Sequence, residues 1–187
     1  MHGLVNRSLQ AFLIGTYGTA LWEAVAQDID MDASGVEAML QYDDGVTDLL
    51  VSAASRRLDK PRDSLLEDVG AYLASREALR RLLRFGGRDY PDFLLTLDEL
   101  PDRIRLAIPD IDLPVITVSE PGPSRFLVSC AMPFYRHVLA GLLRAMADDY
   151  GALAVIDTCE DGGLCVDLMD TQFAAGRRFD LARPGVE

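Results

Sequence analysis

The chain is short of the residues and patterns that usually announce chemistry. It has three cysteines in 187 residues, Cys130, Cys159 and Cys165, too few for a disulfide framework. Its one internal histidine is His137; the other, His2, sits beside a terminus expected to be flexible. No apolar run reaches the roughly 18 residues of a membrane span. Asn6, Arg7 and Gln10 interrupt the apolar residues of the opening segment, so it does not read as a signal peptide. Phosphate-cradling Gly-x-x-x-x-Gly-Lys, Gly-x-Ser-x-Gly and His-Glu-x-x-His are all missing. Asp43-Asp44 and Asp148-Asp149 pair carboxylates only as helix ends or solvated faces do, and Asp157 to Asp161 is too irregular for a calcium loop. Nothing nominates a nucleophile beside a base, and the expectation is a protein that is not an enzyme. No internal repeat or low-complexity stretch breaks the chain.

The composition present is that of a soluble globular protein, 49% hydrophobic and 26% charged. At this length a single domain over 1–187 with a sizeable core is expected. The net charge of −12 repels nucleic-acid phosphates and anionic membrane surfaces, so neither is an expected partner. A cytoplasmic location is the simplest reading.

Hydrophobic spacing divides the chain. Leu4, Val5, Leu9, Phe12 and Leu13 recur at helical spacing until Gly15 to Gly18. Helices follow around 21–29 and 46–58, the latter capped by Asp43-Asp44. Another begins with Pro61 in its first turn, with Asp63 and Glu67 near its positive end. Residues 71–85 read as a helix pair stopped by Gly86-Gly87, and 90–108 as one more helical stretch. The period then changes from 3.6 to 2. Strands are expected over 114–119 and 125–130 around the turn Pro121-Gly122-Pro123-Ser124. A long helix over 134–150 follows, closed by Gly151, and then a hairpin of 153–158 and 163–169. The tail after Thr171 has no pattern. The fold class is α+β, a helical N-terminal half followed by a small antiparallel sheet crossed by a long helix.

Met1-His2-Gly3-Leu4-Val5-Asn6, Tyr17-Gly18, Trp22-Glu23, Tyr42-Asp43-Asp44 and Ala53-Ala54-Ser55, together with the run from Asp92 to Leu100, carry a resemblance. Over about residues 1–170 the chain resembles the haem nitric oxide/oxygen binding (H-NOX) domain, the sensor module of soluble guanylate cyclase and its bacterial relatives. The resemblance implies a helical half and a sheet half with a cofactor pocket between them. It also implies an axial histidine after Leu100, where this chain has Pro101. Pro114, thirteen residues on, falls on the proline that presses against the porphyrin. The Tyr-x-Ser-x-Arg clamp for the haem propionates falls on 127–131, which keeps only Ser129; Arg125 and Arg136 are the nearest arginines.

Proline offers iron no lone pair. In a helix interior it removes a hydrogen bond and clashes with the preceding turn, at a cost of about 3 kcal/mol. The helix is therefore expected to kink or restart, with Pro101 early in a new turn. The resemblance without its ligand implies a non-catalytic sensor or ligand-binding domain lacking axial histidine ligation. Its pocket would be an apolar cleft drawing on Leu4, Val5, Leu97, Pro101, Pro114, Ser129 and Leu142. It would take a small apolar ligand and report to a signalling partner such as a histidine kinase or a cyclic-nucleotide enzyme. Haem on an unusual ligand, His137 or Cys130, is the alternative. Another tetrapyrrole is left open, because the scaffold is related to domains associated with tetrapyrrole reduction. A protein-interaction module is the third reading. Cys159 and Cys165 would face each other across a three-residue turn, yet two separate strand cysteines is the favoured expectation.

Overall fold

A computed structural model of the chain describes residues 1–170; the patternless tail lies outside the described residues. Helix α1 (Gly3–Tyr17) starts at His2, whose Nδ1 accepts from the Leu4 N–H at 3.2 Å. This satisfies one of the first-turn donors that a helix leaves open. His2 is 1% exposed and bridges to Gln41, so the expectation of a residue beside a flexible terminus is corrected: capping and burial hold it. Gly18, at φ 90°, separates α1 from α2 (Thr19–Asp28). Helix α3 (Asp44–Leu58) is capped by Asp43, which accepts from Gly45 N–H at 2.7 Å. Helix α4 (Arg62–Ser75) has Pro61 as its N-cap, one position ahead of the expected first turn. Helix α5 (Glu77–Arg84) follows after a break at Arg76.

The stretch expected as one helix over 90–108 is three pieces: α6 (Tyr90–Leu95), a 3₁₀ turn (Leu97–Glu99) and α7 (Leu100–Ala107). Pro101 is the second residue of α7. A continuous helix would need residue 101 to donate to the Leu97 carbonyl, and proline has no N–H. The Leu100 N–H takes that carbonyl instead, tightening the turn, and the helix restarts as expected.

Strands β1 (Ile116–Gly122), β2 (Arg125–Cys130), β3 (Leu153–Thr158) and β4 (Leu164–Asp170) form an antiparallel sheet in the order β1-β2-β4-β3. Phe126 pairs with Val166, which pairs with Ile156, and this buried row faces the core. Helix α8 (Pro133–Tyr150) crosses the sheet and packs on both β3 and α4. Cys159 and Cys165 form a disulfide with Cα atoms 5.5 Å apart, correcting the expectation of separate cysteines. The ladder ends at Thr158↔Leu164, one step short of Cys159. The turn then closes with Cys159 N–H to Gly163 O at 2.8 Å, and Gly162, at φ 83°, swings Cys159 over Cys165.

Two apolar clusters result. One joins α1, α2, α3 and α4; the other joins α6, α7, α8 and the sheet. They meet where α4 crosses α8. A Cβ on Gly70 would lie 1.9 Å from Val138 O, and one on Gly141 1.8 Å from Glu67 O. The two backbones touch there, and only glycine permits it.

Candidate functional site

Beside that crossing the two clusters do not close on each other. A cavity of about 470 Å³ opens between Leu4 and Val5 of α1, Leu73 of α4, Leu79 of α5, Ile104 of α7 and Val138 of α8. A second space of about 140 Å³ continues from it toward the sheet, past Pro101, Pro114, Cys130 and Leu142. Leu73, Leu79, Ile104, Leu113, Tyr135 and Val138 border both. The larger volume falls within the size range of small-molecule sites.

Of the residues named from sequence, Leu4 and Val5 border the larger space, and Pro101, Pro114 and Leu142 the smaller. Leu97 and Ser129 are on neither wall. Leu97 is buried in the sheet-side cluster. Ser129 is exposed on the outer face of β2, because Phe126 and Val128 bury and period 2 then turns Ser129 outward. The same phase turns Cys130 inward. Several wall residues were not read from sequence. Tyr135, Val138 and Leu139 recur on α8 at three- and four-residue spacing with Leu142, a pattern that could have named them. Arg76 had no such signal.

The polar groups near the cavity are few. Cys130 donates weakly to Met132 O at 3.8 Å, and burial pushes its thiol above the ordinary range. Burial, then the nearby Asp112 and Asp44 carboxylates, pushes the Tyr135 phenol up to about 12, so it stays neutral at physiological pH. Its hydroxyl donates to Asp112 O at 3.5 Å. Among the described residues Arg76 is the one charged residue on either wall. His137 is on neither; its Nε2 lies 3.3 Å from Asp63 Oδ1. Arg125 turns outward to Asp167, and Arg136 donates to Gly162 O at 2.6 Å.

This architecture, two halves flanking an apolar cavity, coincides with a family match. The model of the haem-NO-binding family matches residues 2–156. The chain belongs to that family. Its members, the H-NOX domains, are haem-binding sensors of nitric oxide and oxygen, sensor modules rather than catalysts, and commonly work with signalling partners. Solved structures of the same fold include an Fe(II) unliganded H-NOX mutant from K. algicida. It is 16% identical, with a TM-score of 0.77 over 92% of this chain and 99% of that one. An H-NOX from S. oneidensis in the Fe(II)NO state is 17% identical, with a TM-score of 0.74 over 91% of this chain and 100% of that one. A point mutant of the T. tengcongensis H-NOX is 14% identical, with a TM-score of 0.75 over 91% of this chain and 98% of that one. At these identities the likeness carries the fold. Among the described residues no helix of this H-NOX chain is long and apolar enough to cross a membrane.

Proposed function

We propose that this H-NOX domain is a non-catalytic sensor that binds a small apolar ligand in its central cavity, without haem held on an axial histidine. The observation that carries the reading is the wall itself: about 470 Å³ bordered, apart from Ser8 and Arg76, by aliphatic and aromatic side chains, with no histidine among the described residues there. Pro101, at the position where the resemblance expects the iron ligand, borders the adjoining space. The residues present do not fit an iron-bound haem. Cys130 is the one sulfur ligand on the walls, and burial favours its thiol over the thiolate that binds metal. His137 is engaged by Asp63. No arginine of β2 or its neighbourhood turns into the cavity to clamp propionates.

The function follows from physical rather than covalent chemistry. A ligand entering between α1, α5 and α7 would bury apolar surface against both clusters and shift whichever arrangement of the halves holds it better. A signalling partner, such as a histidine kinase or a cyclic-nucleotide enzyme, would read that shift. The cytoplasm is the expected place, and a single domain the expected unit.

An absorption spectrum of the purified protein tests the reading, with and without added ferrous haem and nitric oxide. The expected result is no stoichiometric Soret band, together with a thermal shift on adding an apolar ligand. A saturating band that shifts with nitric oxide, and disappears in Cys130→Ser, would replace the reading by haem on a cysteine ligand. Neither band nor thermal shift would leave a protein-interaction module.

A further inference from the structure

Resting on the reading of the cavity as a ligand site, we infer that its ligand is a single-headed amphipathic carboxylate of the fatty-acid class, with Arg76 receiving the head group. The argument begins with charge. This is an acidic chain, of net charge −12, and most arginines near α5 are already neutralised. Arg80 and Arg84 both reach Asp149, Arg81 pairs with Glu77, and Arg88 pairs with Asp92. Arg76 has no carboxylate within ion-pair distance among the described residues, and it is the exposed arginine that borders the cavity.

Arg76 is the residue at which α4 ends and α5 begins, and its guanidinium carbon lies 5.4 Å from the centre of the Tyr72 ring. A guanidinium lying over an aromatic ring keeps its N–H donors available for a carboxylate. Among the described residues no aspartate or glutamate borders either space, so a cationic head would meet only repulsion. A neutral head would leave the fork unused.

Beyond Arg76 the described walls carry no charge, and Ser8, Cys130 and Tyr135 are their few polar side chains. Leu79 stands beside Arg76 in the larger space and also borders the smaller one, which ends against Pro101, Pro114 and Leu142. One charged group at the mouth and a narrowing apolar interior behind it suit one head and one tail. A tetrapyrrole, with two carboxylates and a broad ring, would find a cation for one carboxylate only.

Isothermal titration of the purified, delipidated protein with dodecanoate and with dodecanol, both below their aggregation limits, tests this. Dodecanoate is expected to bind about fivefold more tightly than dodecanol, and the advantage to shrink in high salt because the pair sits at the surface. Arg76→Gln is expected to weaken dodecanoate about fivefold and leave dodecanol unchanged. Arg81→Gln, off the cavity, is expected to change neither. Affinity is expected to rise about fourfold per methylene from octanoate upward. Leu79→Trp, filling the passage, is expected to weaken both ligands.

Equal binding of the two ligands, indifferent to Arg76→Gln, would overturn the head-group assignment and leave the apolar cavity in place. Dodecanoate binding that Leu79→Trp does not weaken would mean a surfactant on the arginine-rich surface of α5, and would also overturn it. No binding of either ligand would remove the cavity reading itself.

Discussion

The helical half and the sheet half of this H-NOX domain are built on different terms. The four buried polar side chains among the described residues, His2, Asn6, Gln10 and Thr47, all lie on the helical side. Each has a local task. His2 caps α1, Gln10 accepts from Val36 N–H at 3.4 Å, and the Thr47 hydroxyl donates to Asn6 Oδ1 at 2.6 Å. The sheet half instead fills its interior with Phe93, Phe126, Leu143, Val166 and their neighbours. Its polar links are tyrosine hydroxyls set on backbone carbonyls, one inside that core and one at its edge. The Tyr90 hydroxyl donates to Leu143 O at 2.9 Å and Tyr150 to Gly87 O at 3.0 Å. Hydrogen bonds fix direction and register, whereas apolar packing tolerates repacking at conserved volume. The cavity therefore has one wall held in register by polar bonds and one wall held by packing and the restart at Pro101.

The seam between the halves is the most sensitive place to break. Gly141→Ala would push a methyl group into the Glu67 carbonyl across the α4–α8 crossing. Since both partners are backbone, the helices must separate, and a loss of about 3 kcal/mol is expected. Chemical denaturation read by far-UV circular dichroism should show both halves weakened together. Loss confined to one half would mean that they fold independently.

The disulfide belongs to the sheet half alone. Closing the short loop between Cys159 and Cys165 should stabilise the oxidised protein by about 2 kcal/mol relative to a Cys159→Ser/Cys165→Ser variant. The difference in denaturation midpoint should vanish when both proteins are measured with reductant. Thiol titration of unfolded protein should give one free thiol, Cys130, before reduction and three after. In a reducing cytoplasm the pair is expected to be reduced.

On the helical side, Thr47→Val should cost about 1–2 kcal/mol. The Asn6 side chain would lose its partner, and its Nδ2 already has no acceptor. Adding Asn6→Leu should recover most of that loss, because removing both partners removes the orphan. A double-mutant cycle by thermal denaturation checks the sign; no recovery would mean that packing, rather than the polar pair, holds α1 on α3.

The smallest effect is on pH. Burial raises the phenols of Tyr135, to about 12, and of Tyr90 further. A tyrosine ionises near 10 in the unfolded chain, so the folded form binds the proton more tightly. This stability is complete below pH 10 and is lost as pH rises toward 12. Tyr135→Phe should flatten the alkaline fall in stability while changing little at neutral pH. Tyrosine absorbance during a pH jump should show both phenols ionising only as the protein unfolds.

The local events were legible in the residues. Gly18, Gly151 and the turn at Gly162 ended elements where chain geometry requires it, and Pro101 restarted its helix because a missing N–H acts on its own turn. The strand run 125–130 and the order of helices before sheet followed from hydrophobic period. The H-NOX resemblance then gave Leu4, Val5, Pro101, Pro114 and Leu142, all of which border the cavity spaces. Other features depended on distant partners. Ser129 turned outward because Phe126 and Val128 found α8, a choice of strand face that residues 127–131 do not contain. Cys159 met Cys165 through the turn's left-handed glycine, beyond the last paired residue. The sequence by itself determined the order of helices and strands, the restart at Pro101 and the family, since these rest on local patterns and motifs. Only the tertiary structure decided which faces meet, that a cavity stays open between two clusters, and that Arg76 borders it with no ion-pair partner among the described residues. Those outcomes are set by contacts between segments whose separation along the chain carries no pattern.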